Sequence, residues 1–207
     1  MAGRLRRAVE AGLGDARTRI LGVFLIVVAV LGTVVLRAFA NFETVFVAAL
    51  LAGSLLGRWW TILVPVAALA VLQSLDWTTY GGYGLQAMIG LSFFIISGYV
   101  FVGLLGRRIR PRIVFRVKSV ALLTTISVPM TIAYDLWTAS GEWYFITRPL
   151  GLTWDLMLKG QVPFTLYHLL SSLIFVPLIG TAFLFLHAYG WPARSEEIAP
   201  SRPMDRP

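Results

Sequence analysis

Residues 20–36 read ILGVFLIVVAVLGTVVL, seventeen positions without one ionisable side chain. A run of this kind lies at the lower end of the ~17–25 residues that carry a helix across a bilayer core. Further apolar blocks follow, separated by short polar stretches. Of the 207 residues, 57% are hydrophobic and only 14% charged, against roughly 25% charged in a soluble domain. The chain reads as an integral membrane protein.

The blocks predict an all-α membrane protein of six transmembrane helices, at about 20–36, 42–57, 60–75, 86–106, 114–138 and 163–189. Lipid offers the backbone no hydrogen-bond partner, so each span must be helical. Pro65, Pro129 and Pro177 lie inside spans and predict kinks, whereas Pro163 suits a first helical turn. The stretch GRWW leaves room only for a tight turn between spans 2 and 3. Residues 1–19 form a basic leading segment, 20–189 the transmembrane domain, and 190–207 a Pro-rich, charged tail of disordered composition.

Lys and Arg are unevenly shared between alternate sides. Arg4, Arg6, Arg7, Arg17, Arg19, Arg58, Arg107, Arg108, Arg110, Arg112, Arg116, Lys118, Arg194, Arg202 and Arg206 fall on one side. Only Arg37, Arg148 and Lys159 fall on the other. The excess marks the cytoplasmic face, and an even number of spans puts both termini there, in a multi-pass protein of the cell membrane. A cleavable secretion signal is the competing reading of span 1. The run exceeds the usual ~7–15 residues, and Arg37 stands between it and the AFA cleavage-like site. The net charge of +8 sits between apolar blocks rather than on a basic surface, which excludes nucleic acid as a partner. Cysteine is absent, so disulfides and thiolate metal sites are excluded.

Polar and aromatic residues gather at the outer ends. Asn41 and Glu43 open span 2, Asp76, Trp77 and Tyr83 follow span 3, and Gln86 opens span 4. Asp135, Trp137, Glu142 and Trp143 close span 5, and His168 lies five residues into span 6. An aromatic belt at the interface accounts for many of the rings but needs no carboxylates. Helix capping is one account of Glu43, and a solvated helix end one account of Asp76 and Asp135; the alternative for each is a binding role at the outer end. His168 is the sharper signal, because ionisable groups inside spans face a bundle interior or a wet cavity. SLDWTTYGG and AYDLWTASG echo one another, as do GSLLGR and GLLGR. The echo fits either duplicated hairpins or the shared demands of leaving a bilayer. The segment 139–162 is the longest connection and reads as a short interfacial helix or a lid.

ANFETVFVAALLAGSLLG, YDLWT and VPFTLYHLLSSLIFVPL resemble the substrate-binding S components of energy-coupling factor (ECF) vitamin transporters, over about residues 20–189. The resemblance implies a compact six-helix bundle capturing a vitamin or related micronutrient at its outer end. It also implies a membrane scaffold subunit and a pair of cytoplasmic ATPases as partners, and a bundle that topples to deliver its cargo. Its matching positions make Asn41, Glu43, Asp76, Trp77, Asp135, Trp137, Trp143 and His168 ligands. The chain departs from the family's Ala-x-x-x-Ala docking pattern on helix 1, having only Ala29 and Thr33 at that spacing. Small residues are denser on span 2, at Ala48/Ala52 and Ala49/Gly53.

Two other functions remain in view. A stand-alone proton-coupled carrier would use Asp135 or His168 as its relay. An intramembrane enzyme would need a nucleophile or metal motif, and no phosphate loop, nucleophile elbow or His-Glu-x-x-His is present. His187 lies roughly 28 Å from His168 along one helix, too far to share a site. No cofactor, metal or catalytic residue is expected. The sidedness is testable: reporters fused to either end should be active only in the cytoplasm, and an outward-facing end would scatter the polar set over both leaflets.

Overall fold

A computed structural model of the protein describes residues 13–39, 44–57, 59–75, 81–113 and 117–188. The leading segment up to residue 12 and the tail from residue 189 lie outside them. The described chain is helical: α1 (Ala16–Val35), α2 (Val45–Leu51), α3 (Trp60–Leu75), α4 (Leu85–Ile109), α5 (Val117–Glu142) and α6 (Trp154–Ala188). One wider π turn, Ala52–Leu56, prolongs α2.

Six spanning helices were expected, but four stretches are long and apolar enough to cross a membrane: Ala16–Val35, Leu85–Arg112, Lys118–Leu150 and Trp154–Leu186. Val45–Leu56 and Trp60–Leu75 fall short, rising only about 18 and 24 Å against a core of ~30 Å. For α3, which exposes Ile62, Leu63 and Val71, length alone falls short; for α2 the physical reason is burial. Every residue from Thr44 to Gly57 is buried, so α2 is apolar all round because protein surrounds it, not lipid. The architecture is a multi-span membrane bundle with α2 at its centre, touching α1, α3, α4 and α6.

Around that centre the usual distribution is inverted. Val27 and Leu31 on α1, Phe93 and Phe101 on α4, Leu136 on α5 and Leu170 and Leu178 on α6 all stand outward. Ser127, Thr131, Asp135, His168, Ser171 and Ser172 are inside. Large apolar side chains outward on all four long helices, with the hydroxyls inward, suit a hydrocarbon solvent. Thr131 and Ser172 share a buried hydrogen bond of 2.9 Å between α5 and α6, the interhelical polar contact expected where lipid supplies no partner.

Glycine sets how closely α2 and α4 approach. A Cβ at Gly53 would overlap the carbonyl oxygen of Gly103, and one at Gly106 would press on the carbonyl oxygen of Leu50. The echoed stretches GSLLG and GLLG therefore pack against one another. The small residues Ala48, Ala49 and Ala52 of α2 are all buried within the bundle. Those of α1 also turn inward: Ala29 is buried, and Gly22 meets the Trp60 ring.

The α2–α3 turn at Gly57 takes φ +64°, a value open to glycine. Arg110 lies against it. Trp60 Nε1–H donates to Leu13 O at 2.9 Å, and the Arg17 guanidinium donates to Leu186 O at 3.3 Å. The start of α1, the α2–α3 turn and the ends of α4 and α6 thus share one end of the bundle, which holds Arg107, Arg108 and Arg112 as well.

The opposite end differs from the loop expected over 139–162. Helix α5 continues through a π turn at Trp143–Thr147 and a 3-10 turn at Arg148–Leu150. It stops at Gly151 (φ +86°), with Leu152 N–H bonded to Thr147 O at 3.1 Å and Gly151 N–H to Arg148 O at 3.0 Å. Left-handed glycine is a common helix terminator. Thr153 then caps α6 by accepting from Leu156 N–H at 3.3 Å. Pro163 accordingly lies within α6, along with Pro177, rather than in its first turn. Only residues 151–153 connect the two helices.

The close α2–α4 contact predicts that Gly53→Ala destabilises the protein by about 1–3 kcal/mol, as overpacking does. Gly160→Ala, where a Cβ meets nothing within 4 Å, should be neutral or slightly stabilising. Unfolding midpoints in detergent check both.

Candidate functional site

Helices α5 and α6 face each other along one stripe each. On α5, Asp135, Thr138, Glu142 and Ile146 follow at steps of three and four; on α6, Met157, Gln161, Phe164 and His168 do the same, with Gly160 beside them. Such spacing keeps residues on one helical face. Tyr83, in the turn before α4, and Leu91 and Ile95 on α4 complete a cavity of about 420 Å³. Small-molecule pockets run to about 300–1,000 Å³. The cavity lies where α5 ends and α4 and α6 begin, opposite the basic end.

At its inner limit, His168 Nδ1 and Asp135 Oδ1 are 2.7 Å apart, in residues only 2% and 3% exposed. That contact needs a proton between the two atoms. Burying such a pair is costly unless every polar atom is satisfied. Here Asp135 Oδ2 and His168 Nε2 have no hydrogen-bond partner among the described residues. Phe46 from the central α2 meets the imidazole edge-on at 5.3 Å, and Tyr134 does so at 5.5 Å. Two rings therefore hold the imidazole in place, while the exchangeable edge of the pair stays unbonded. Glu142 stands half-buried about 10 Å further out, two helical turns from Asp135.

The residues singled out by sequence are distributed unevenly. Tyr83, Asp135, Glu142 and His168 line the cavity together. Trp137 does not: two residues on from Asp135 is a rotation of about 200°, onto another face of α5. Its indole N–H donates to Ser97 Oγ at 3.0 Å and its ring lies 4.5 Å from Phe94. There it lines a separate apolar groove of about 360 Å³ between α4 and α5. Trp143 is structural: its N–H donates to Leu152 O at 3.1 Å, and Trp154 meets it edge-on. The Arg148 guanidinium sits 5.5 Å from the Trp143 ring and 5.4 Å from that of Tyr144, a cation–π clamp on the turn. Gln86 is exposed in the first turn of α4 and outside the lining. Asn41, Glu43, Asp76 and Trp77 lie outside the described residues.

Sequence reasoning missed Thr138, Gln161 and Phe164. Gln161 and Phe164 precede His168 by seven and four residues, a helical signal hidden by starting the helix at Pro163. With α6 beginning at Trp154, His168 is fourteen residues into its helix rather than five.

The Asp–His pair forms the first half of a hydrolytic triad, yet no hydroxyl reaches His168 Nε2 among the described residues. Nor, among the described residues, do three His, Asp or Glu side chains converge there. The geometry is that of a cavity with a buried, incompletely hydrogen-bonded Asp–His pair at its base. No protein-family model matches the chain, and neither a curated protein nor a solved structure is significantly similar to it.

Removing one partner of a buried pair costs about 3–5 kcal/mol, whereas apolar replacement of both is far milder. His168→Phe should therefore destabilise the protein strongly, and adding Asp135→Leu should recover much of the loss. A double-mutant cycle in detergent unfolding measures this; additive losses would mean the two side chains are not coupled.

Proposed function

We propose that this protein is a substrate-capture subunit of an ATP-driven importer of the ECF type, binding a vitamin-like small molecule in the α4–α5–α6 cavity. The observation carrying the proposal is the incompletely hydrogen-bonded Asp135–His168 pair at the base of a cavity with mixed polar and apolar walls, at the end of the bundle opposite Arg107, Arg108 and Arg112. In this reading the cavity opens outward, both termini are cytoplasmic, and lipid covers the outward apolar faces. The resemblance of VPFTLYHLLSSLIFVPL to S components supports it, because that stretch carries His168 and the cavity wall residue Phe164. A scaffold subunit would have to dock on large apolar side chains, since the small residues of α1 and α2 are occupied internally.

A second reading, a stand-alone proton-coupled carrier, draws on the same pair, because an Asp–His contact inside a membrane is a natural proton relay. Energy source separates the two. Uptake that stops on ATP depletion with the proton gradient intact supports the importer; uptake that continues in a host without any scaffold and ATPase module supports the carrier.

Gentle purification followed by mass spectrometry should release one small molecule. Asp135→Ala should lose it, and Trp137→Ala, which alters the other groove, should keep it. Retention by Asp135→Ala would remove the cavity from the mechanism.

A further inference from the structure

Helices α4 and α5 leave an open seam in the outer wall of the bundle. On α4, Ser97, Phe101 and Leu105 line it at steps of four; on α5, Met130, Ala133 and Trp137 line it at steps of three and four. Phe101, Ala133 and Trp137 are exposed, so the groove opens toward the surrounding hydrocarbon rather than into the core. At one end Ser97 Oγ accepts from the Trp137 indole at 3.0 Å and donates to Phe94 O at 3.2 Å. Gly98 lets the Tyr134 ring lie against α4, where a Cβ would crowd it.

Beyond Leu105 the same face of α4 turns basic. Arg108 follows Phe101 by seven residues, and Arg112 follows Leu105 by seven, which returns each to its predecessor's face. Both are exposed, as is Lys118 in the first turn of α5. Ser97 to Leu105 rises about 12 Å, and Arg108 stands about 5 Å further on. Among the described acids, Asp135, Glu142 and Asp155 belong to the opposite end, and Asp15 caps α1 by accepting from Thr18 N–H at 2.8 Å. The positive-inside excess accounts for basic residues anywhere at this end, but it does not require an apolar groove to finish on them.

A trough of apolar side chains leading to guanidinium groups suits an amphiphile with an anionic head. Guanidinium binds phosphate in a bidentate manner, and basic pockets between helices on the cytoplasmic side take anionic headgroups. A neighbouring helix is the poorer occupant. Close helix approach favours small residues, and Phe101, Leu105, Met130 and Trp137 hold a second backbone away. A flexible acyl chain follows their contours instead.

We propose that the α4–α5 groove binds an anionic phospholipid, with one acyl chain along the groove and the phosphate on Arg108 and Arg112. Such a site stands whether or not the α4–α5–α6 cavity captures a solute.

Brominated acyl chains quench indole fluorescence on contact, and Trp137 lies in the groove. Full-length protein is reconstituted into phosphatidylcholine vesicles with a minor fraction of phosphatidylglycerol, bromine being carried by one lipid or the other. The Trp137 signal is the difference between wild type and Trp137→Phe, and the two series give the relative affinity for the two headgroups. Phosphatidylglycerol should be preferred by about tenfold. Arg108→Gln combined with Arg112→Gln should abolish that preference while chain contact persists. Ala133→Phe, which fills the groove from its exposed side, should reduce quenching by either lipid. If the double variant does not reconstitute, the wild-type preference and Ala133→Phe decide. Equal affinity for the two headgroups, a preference that survives loss of both arginines, or unchanged quenching in Ala133→Phe overturns the proposal. Trp137 untouched by either brominated lipid overturns it too, because protein (a second copy or a docked subunit) then covers the groove.

Discussion

The bundle depends on a backbone-to-backbone contact at its centre. Where Gly53 meets Gly103, α2 and α4 approach more closely than any side chain would allow. That approach draws a helix too short to span a membrane into full burial. The long helices then arrange around α2 as a core, each with one face toward it or toward one another and one toward lipid. Dispersion packing of this kind is the main source of cohesion where the solvent is itself apolar.

The central helix also sets the site. Phe46, near the start of α2, presses edge-on against His168 and lies 6.3 Å from the Tyr134 ring. His168 is thus held between an aromatic wall and Asp135, and its ring has little freedom to seek another partner. Above it, α5 and α6 extend beyond the level of α2 and raise the cavity walls, while the turn at 143–150 ties their tops together. Among the described residues, α4, α5, α6 and the turn carrying Tyr83 line the cavity.

Polar groups inside this protein fall into two sets with different consequences. Thr131 and Ser172 satisfy each other and bind α5 to α6. One turn away, Asp135 and His168 satisfy each other only in part. The first set stabilises the helix pair, whereas the second leaves two atoms whose hydrogen-bonding capacity is unused. An unused capacity of this kind is costly to the fold alone.

The sequence by itself determined that this is a helical membrane protein, because blocks without ionisable groups admit no other solvent. It also marked Asp135 and His168, since ionisable groups beside such blocks need a reason. It did not reveal which apolar blocks face lipid: VFVAALLAGSLL is as hydrophobic as a span, and only its encirclement by four helices makes it core. Nor did it locate the start of α6, because a proline and a polar stretch imitate a loop until neighbouring helices hold them helical. Tertiary structure alone decided that Asp135 points toward His168 while Trp137 points away, since two residues on a helix differ by more than half a turn and only packing selects which face turns inward.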